Sequence, residues 1–227
     1  MTQASNVARI PGDGAAQEAP FTGFGAPELA YILSRYSGPA IERSIEYLGV
    51  NLQAASPEFI AGGASCLAGR GLLEVRGEEL DLIGAAAVLA YALAGAEHWT
   101  EIGLMAQRDT AADGALLLQA RDVTILMRPR TLGTWFVLVK DPEQSATDAV
   151  LDLAAAFTST HPQGAAFLSA HTLTWDATLF LRRSANGAWD LARGDSPLWP
   201  ESRTDGVDDQ AARHALDTLL APMAVGG

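Results

Sequence analysis

"LAGRGLLEVRGEELDLI", residues 67–83, runs from the end of an apolar helix into two short strands joined by a polar turn. Gly69 and Gly71 stop the helix, and "RGEE" at 76–79 turns the chain between strands at about 72–75 and 79–83. Three helices followed by such a hairpin read as a winged helix, which raises the question of DNA. A reading helix needs basic or amide side chains on its exposed positions. Across residues 57–83 two arginines, Arg70 and Arg76, stand against five acids, Glu58, Glu74, Glu78, Glu79 and Asp81, for a net charge of −3. Phosphate would be repelled at every approach, so the sequence predicts a wing that does not contact nucleic acid.

Working back from the wing, Ser56-Pro57-Glu58 starts the third helix, with serine as N-cap and proline at the first helical position. A second helix follows Pro39, with Ile41, Ile45 and Leu48 facing inward and Gly49 at its stop. The first begins near Pro27, where Leu29, Ile32, Leu33 and Tyr36 repeat at helical spacing. Residues 1–24 carry no periodicity and are expected to be a flexible N-terminal tail.

Forward from the wing, an Ala-rich helix covers about 84–96, and from His98 the pattern changes to strands at 98–107, 114–120, 122–128 and 133–140. "LGTWFVLVK" (132–140) is the most hydrophobic of these, which predicts a central, buried strand with Trp135 in the core. "DPEQ" at 141–144 opens a helix with Asp141 as N-cap, and strands at 165–174, 177–183 and 188–193 follow. Asn186-Gly187 marks a hairpin, and a last helix starts near 208 with Ala212, Leu216, Leu219 and Leu220 inward. The expected fold class is α+β: a helical N-terminal half with a winged-helix-like hairpin, then two antiparallel strand groups each followed by a helix, an order that admits a quasi-twofold arrangement. The expected organisation is a single domain over 25–222, with a helical and winged part at 25–97 and a sheet-helix part at 98–222.

Bulk chemistry narrows the function classes. Among 227 residues, 48% are hydrophobic and 19% charged, a globular composition, and the net charge of −12 opposes nucleic acid and anionic membrane surfaces. The longest apolar run, residues 82–96, is shorter than the roughly 20 residues of a membrane span, and no signal-peptide pattern is visible, so a cytoplasmic location is expected. The one cysteine, Cys66 in "GGASCLAG", fits a reducing compartment and is expected to be a buried thiol.

No catalytic residue, cofactor or metal is expected. His98, His161, His171 and His214 lack metal-ligand spacing, and there is no GxSxG, GxGxxG or P-loop motif. "SAHTLTWD" (169–176) contains Ser169, His171 and Asp176, but in an unbroken strand Asp176 would face the side opposite the other two. Arg128-Pro129-Arg130 and Arg182-Arg183 read as solvated charges on strands. The candidate site is instead a binding loop, "DSPLWPESR" (195–203), in which Leu198 and Trp199 stand between two prolines that pre-set the backbone.

The passage "L…GRGLLEV…GEELDLIGAAAVLAYALAGAEHW" and the late "GDSPLWPESRTDG" resemble the EspG-type proteins of actinobacterial type VII (ESX) secretion. The resemblance covers about residues 25–222. It implies a quasi-twofold mixed α/β fold and a cytosolic chaperone that binds the apolar tip of helical PE–PPE substrate pairs. No contact residue carries over position by position. The function expected is therefore a non-enzymatic protein-binding module. The alternatives are a winged-helix transcriptional regulator and a structural component of a larger assembly.

Overall fold

One strand order organises the chain. In a computed structural model that describes residues 22–107, 110–139, 144–184, 186–193 and 203–220, nine strands hydrogen-bond in the sequence β1-β7-β6-β5-β4-β8-β9-β10-β11. They are β1 (Thr22–Phe24), β4 (Ala96–Gln107), β5 (Thr110–Ala120), β6 (Thr124–Arg130), β7 (Thr134–Val139), β8 (Ala165–His171), β9 (Asp176–Arg183), β10 (Trp189–Arg193) and β11 (Arg203–Val207). A separate hairpin pairs β2 (Leu73–Arg76) with β3 (Glu79–Leu82). The helices are α1 (Ala26–Ser34), α2 (Pro39–Leu48), α3 (Pro57–Gly69), α4 (Gly84–Gly95), α5 (Ala146–Thr160) and α6 (Asp209–Leu220).

This order corrects the expected fold class. A helical N-terminal half followed by two strand groups in quasi-twofold order does not describe a molecule dominated by one nine-stranded antiparallel sheet. The N-terminal region opens with a strand of that sheet, because β1 pairs with β7 from Thr22↔Val137 to Phe24↔Trp135. The second strand group is not separate either. β8 returns after α5 and pairs along β4, from Trp99↔His171 to Met105↔Ala165. A free β4 edge would leave a row of unpaired N–H and C=O groups, and joining β8 to it satisfies them.

Two compact units divide the chain, and each has its own packing logic. In the unit of Pro20–Glu97 and Leu118–Val139, α1 starts after Gly25, whose N–H donates to the Glu28 carboxylate at 2.8 Å. Glu28 is buried and also takes Arg70 Nη1 at 2.7 Å, which ties α1 to the end of α3. The two helices approach closely because position 63 is glycine; a Cβ there would lie 2.0 Å from the Pro27 carbonyl oxygen. Ser56 caps α3 by accepting Phe59 N–H at 3.2 Å, and Ser44 of α2 donates to the Leu93 carbonyl of α4 at 3.0 Å. Leu29, Ile32, Leu33, Leu67, Leu89 and Leu93 fill the core between these helices.

In the unit containing His98–Leu117 and Lys140–Gly227, α5 and α6 pack on β9 and on each other. Their contact includes Thr147 Oγ1 donating to Asp217 at 2.5 Å and an ion pair between Arg213 and Asp148. Arg213, and then the Ser145 hydroxyl, hold the Asp148 carboxyl below the usual carboxylate range. Ser145 is the N-cap of α5, accepting Asp148 N–H at 2.9 Å, so this helix begins later than an Asp141 cap would set it. Asp141 itself lies outside the described residues.

Candidate protein-binding surface

The wing carries its own neutralisation. Arg76 Nη2 lies 2.8 Å from Glu74 and its Nη1 3.9 Å from Asp81, while Arg70 is held by Glu28. Both arginines of residues 57–83 are therefore committed to carboxylates, and the tip residues Glu78 and Glu79 are exposed. Cys66, expected in the core, is exposed instead. The buried side of α3 is set by Gly63 and Leu67, four residues apart, and position 66 falls off that line.

Ser169, His171 and Asp176 are arranged differently from the unbroken-strand expectation. The chain turns at 172–175, so Asp176 of β9 sits directly opposite His171 of β8. His171 Nδ1 lies 2.7 Å from Asp176 Oδ1, and its Nε2 lies 3.5 Å from Glu101 Oε2 on β4. Ser169 is two residues away on the same face, but the ring edge a nucleophile would need is turned to Glu101. His171 and Asp176 meet, and the histidine lies between two carboxylates. Leu198 and Trp199 lie outside the described residues.

The most distinctive surface lies in the Pro20–Glu97 and Leu118–Val139 unit, at the turn joining β6 to β7. Arg130 pairs with Thr134, leaving the three-residue tip Thr131-Leu132-Gly133. Leu132 has φ 64° and ψ 28°, and it is the one non-glycine residue with positive φ among the described residues. Its side chain is 96% exposed. A left-handed backbone costs an L-residue about 1–2 kcal/mol. Leaving a leucine in water forgoes roughly 1.5–3 kcal/mol more. A backbone cost and a forgone burial meet at one residue.

Beside this tip runs a groove of about 450 Å³ whose lining includes Ala26, Leu48, Val50, Phe59, Gly133 and Trp135. Among the described residues no charged side chain lines it. Phe59, on the first turn of α3, is 41% exposed. Trp135 was expected in the core of a central strand, but it is half-buried, and β7 is second from the sheet edge. Trp135 is paired on both sides, with Phe24 of β1 and Pro129 of β6, and it is half-buried where it lines the groove. Sequence reading missed Leu132 and Phe59 as surface residues. The available signal was "TLG" itself, an apolar residue where a turn favours Gly, Asn or Asp.

No helix among the described residues is long and apolar enough to cross a membrane. Compared with known proteins, the chain matches no family model and no curated protein.

Proposed function

We propose that this chain is a protein-binding module that receives an apolar, helical segment of a partner, and that it acts as a chaperone or adaptor of type VII secretion whose clients are PE–PPE-like helical pairs. The observation that carries the binding reading is Leu132, fully exposed on a left-handed backbone beside an uncharged groove. An exposed aliphatic knob next to a groove containing Phe59 and Trp135 suits the helix-in-groove mode, where apolar anchors of a helix bury against apolar side chains. A partner that covers Leu132 recovers the burial free energy that the isolated chain forgoes. The secretion assignment is supported by the sequence resemblance at 67–99 and 194–206. Paired arginines at the wing and a net charge of −12 favour a protein partner over DNA.

The test is affinity capture with the full chain in an actinobacterial host, run beside a Leu132→Asp, Phe59→Asp double variant. A helical secretion client should be retained by the wild type and lost from the variant. Retention of the same client by both, gel-shift binding to DNA at low salt, or self-association as the sole outcome would each remove the proposal.

A further inference from the structure

A hollow of a different character lies in the other unit, between the last turns of α5 and residues of the β9–β10 turn. It measures about 620 Å³ and is lined by residues that include Thr158, Ser159, Gln163, Arg182, Arg183 and Ser184. In a chain of net charge −12, none of its lining residues among those described is a carboxylate.

Arg182 and Arg183 play different parts. Arg182 directs Nε and Nη2 to Asp190 Oδ2 at 3.2 and 2.7 Å, and the two charges offset each other. Arg183 forms no ion pair with a described residue. Its Nε donates to the Gly187 carbonyl at 3.1 Å, and its guanidinium lies 5.2 Å from the centre of the Trp189 ring. That ring is buried and pinned by Nε1 donating to Asp209 at 2.6 Å. Arg183 is thus held on one edge while its Nη groups stay available, a pre-organised fork for an oxyanion. The C-terminal end of α5 opposes an anion, with a partial charge near −0.5 against the full positive charge of Arg183. Its carbonyls at 154, 155, 156 and 157 already accept hydroxyl protons from Thr158, Ser159 and Thr160, which weakens that opposition.

The hydroxyls decide which oxyanion fits. Thr158 donates to the Ala154 carbonyl, Ser159 to the Ala156 carbonyl, and Ser184 to Asn186 Oδ1 and the Ala188 carbonyl. Each hydroxyl has one proton, so the oxygens of Ser159, which is exposed, and Ser184, which is half-buried, keep lone pairs that can accept. A phosphate offers mainly acceptors and would meet them lone pair to lone pair. A peptide carboxylate comes with backbone N–H donors beside it, and the Gln163 amide can serve the peptide carbonyls.

We infer that this hollow binds an acidic peptide segment, with a Glu or Asp carboxylate on Arg183 and adjacent peptide N–H groups on the oxygens of Ser159 and Ser184. The inference does not depend on the Leu132 groove, and its test uses no native partner.

The full ¹⁵N-labelled chain is titrated with a blocked pentapeptide carrying a central glutamate, with its glutamine counterpart, and with inorganic phosphate. The glutamate peptide should shift the amides of Thr158, Gln163, Arg183 and Gly187 to saturation. The glutamine peptide should bind about tenfold more weakly, as expected for loss of one charge-assisted contact. Arg183→Met should abolish the shifts; because Arg183 also stacks on Trp189, Gln163→Ala, at an exposed position, provides a second variant and should weaken binding about threefold. Four results would overturn the inference: no localised shift with the glutamate peptide, equal binding of the glutamine peptide, equal shifts with phosphate, or unchanged binding in a folded Arg183→Met chain.

Discussion

Two hairpin tips in one unit solve the same geometric problem in opposite ways. The β2–β3 tip joins paired residues Arg76 and Glu79 through Gly77 and Glu78, with the positive φ of 66° placed on the glycine. That is the turn chemistry a two-residue hairpin favours, glycine first and polar side chains to solvent. The β6–β7 tip also needs left-handed backbone, and Gly133 supplies one such residue with φ 65°. It places a second on Leu132, whose side chain then points into water. Local rules account fully for the first tip. At the second they are broken at one position, where Leu132 is 96% exposed on a left-handed backbone, and that departure is the ground for proposing a partner's contact there.

The comparison can be broken most decisively at Leu132. Leu132→Asp should weaken partner binding by about 2 kcal/mol or more, roughly thirtyfold, with the melting temperature of the free chain unchanged or raised, since aspartate tolerates the left-handed backbone better than leucine. Isothermal titration and a thermal melt of the same sample read both quantities. A fall in stability with intact affinity would make the tip a packing element. Next in size is Gly77→Val at the wing, which forces a β-branched residue to φ 66°. It should cost the hairpin about 1–2 kcal/mol, seen as faster amide exchange at Val75 and Leu80.

A substitution in the opposite sense sharpens the contrast. Leu132→Gly relieves the left-handed leucine and should stabilise the free chain by up to about 1 kcal/mol in urea unfolding, since the gain is partly offset by glycine's greater unfolded freedom. Destabilisation instead would show that the Leu132 side chain has a partner within the chain. The smallest effect belongs to the wing charges: Glu78→Lys with Glu79→Lys should shift stability by no more than about 0.5 kcal/mol. A larger loss in the thermal melt would mean the acidic tip is packed and not solvated.

The same division between local and non-local causes runs through the whole chain. The six helices among the described residues are legible from periodicity or Ala-rich composition, and some from caps such as Ser56 and Gly49, because a helix is closed by hydrogen bonds within one segment. The seven inner strands, β4 to β10, are likewise visible as apolar runs between turn signals. The two strands that sequence reading passed over are the two sheet edges. β1 is the tripeptide "TGF", and β11 is "RTDGV", with four of five residues exposed. Neither carries an alternation to read, since an edge strand is defined by its neighbour and not by its own pattern.

By itself, then, the sequence determined which segments become helices and inner strands, the acidic charge balance, and the polar chemistry of the wing tip. Those properties are set by spacing, composition and short-range hydrogen bonds. Only the tertiary structure decided that β8 takes the free edge of β4, that His171 faces Asp176 across a turn, and that Cys66 and Trp135 are less buried than their neighbours suggest. It also decided that Leu132, Phe59 and Trp135 bring an exposed knob beside an uncharged groove. Each of these depends on partners far away in the chain, and pairing between distant segments leaves no periodic trace in either one.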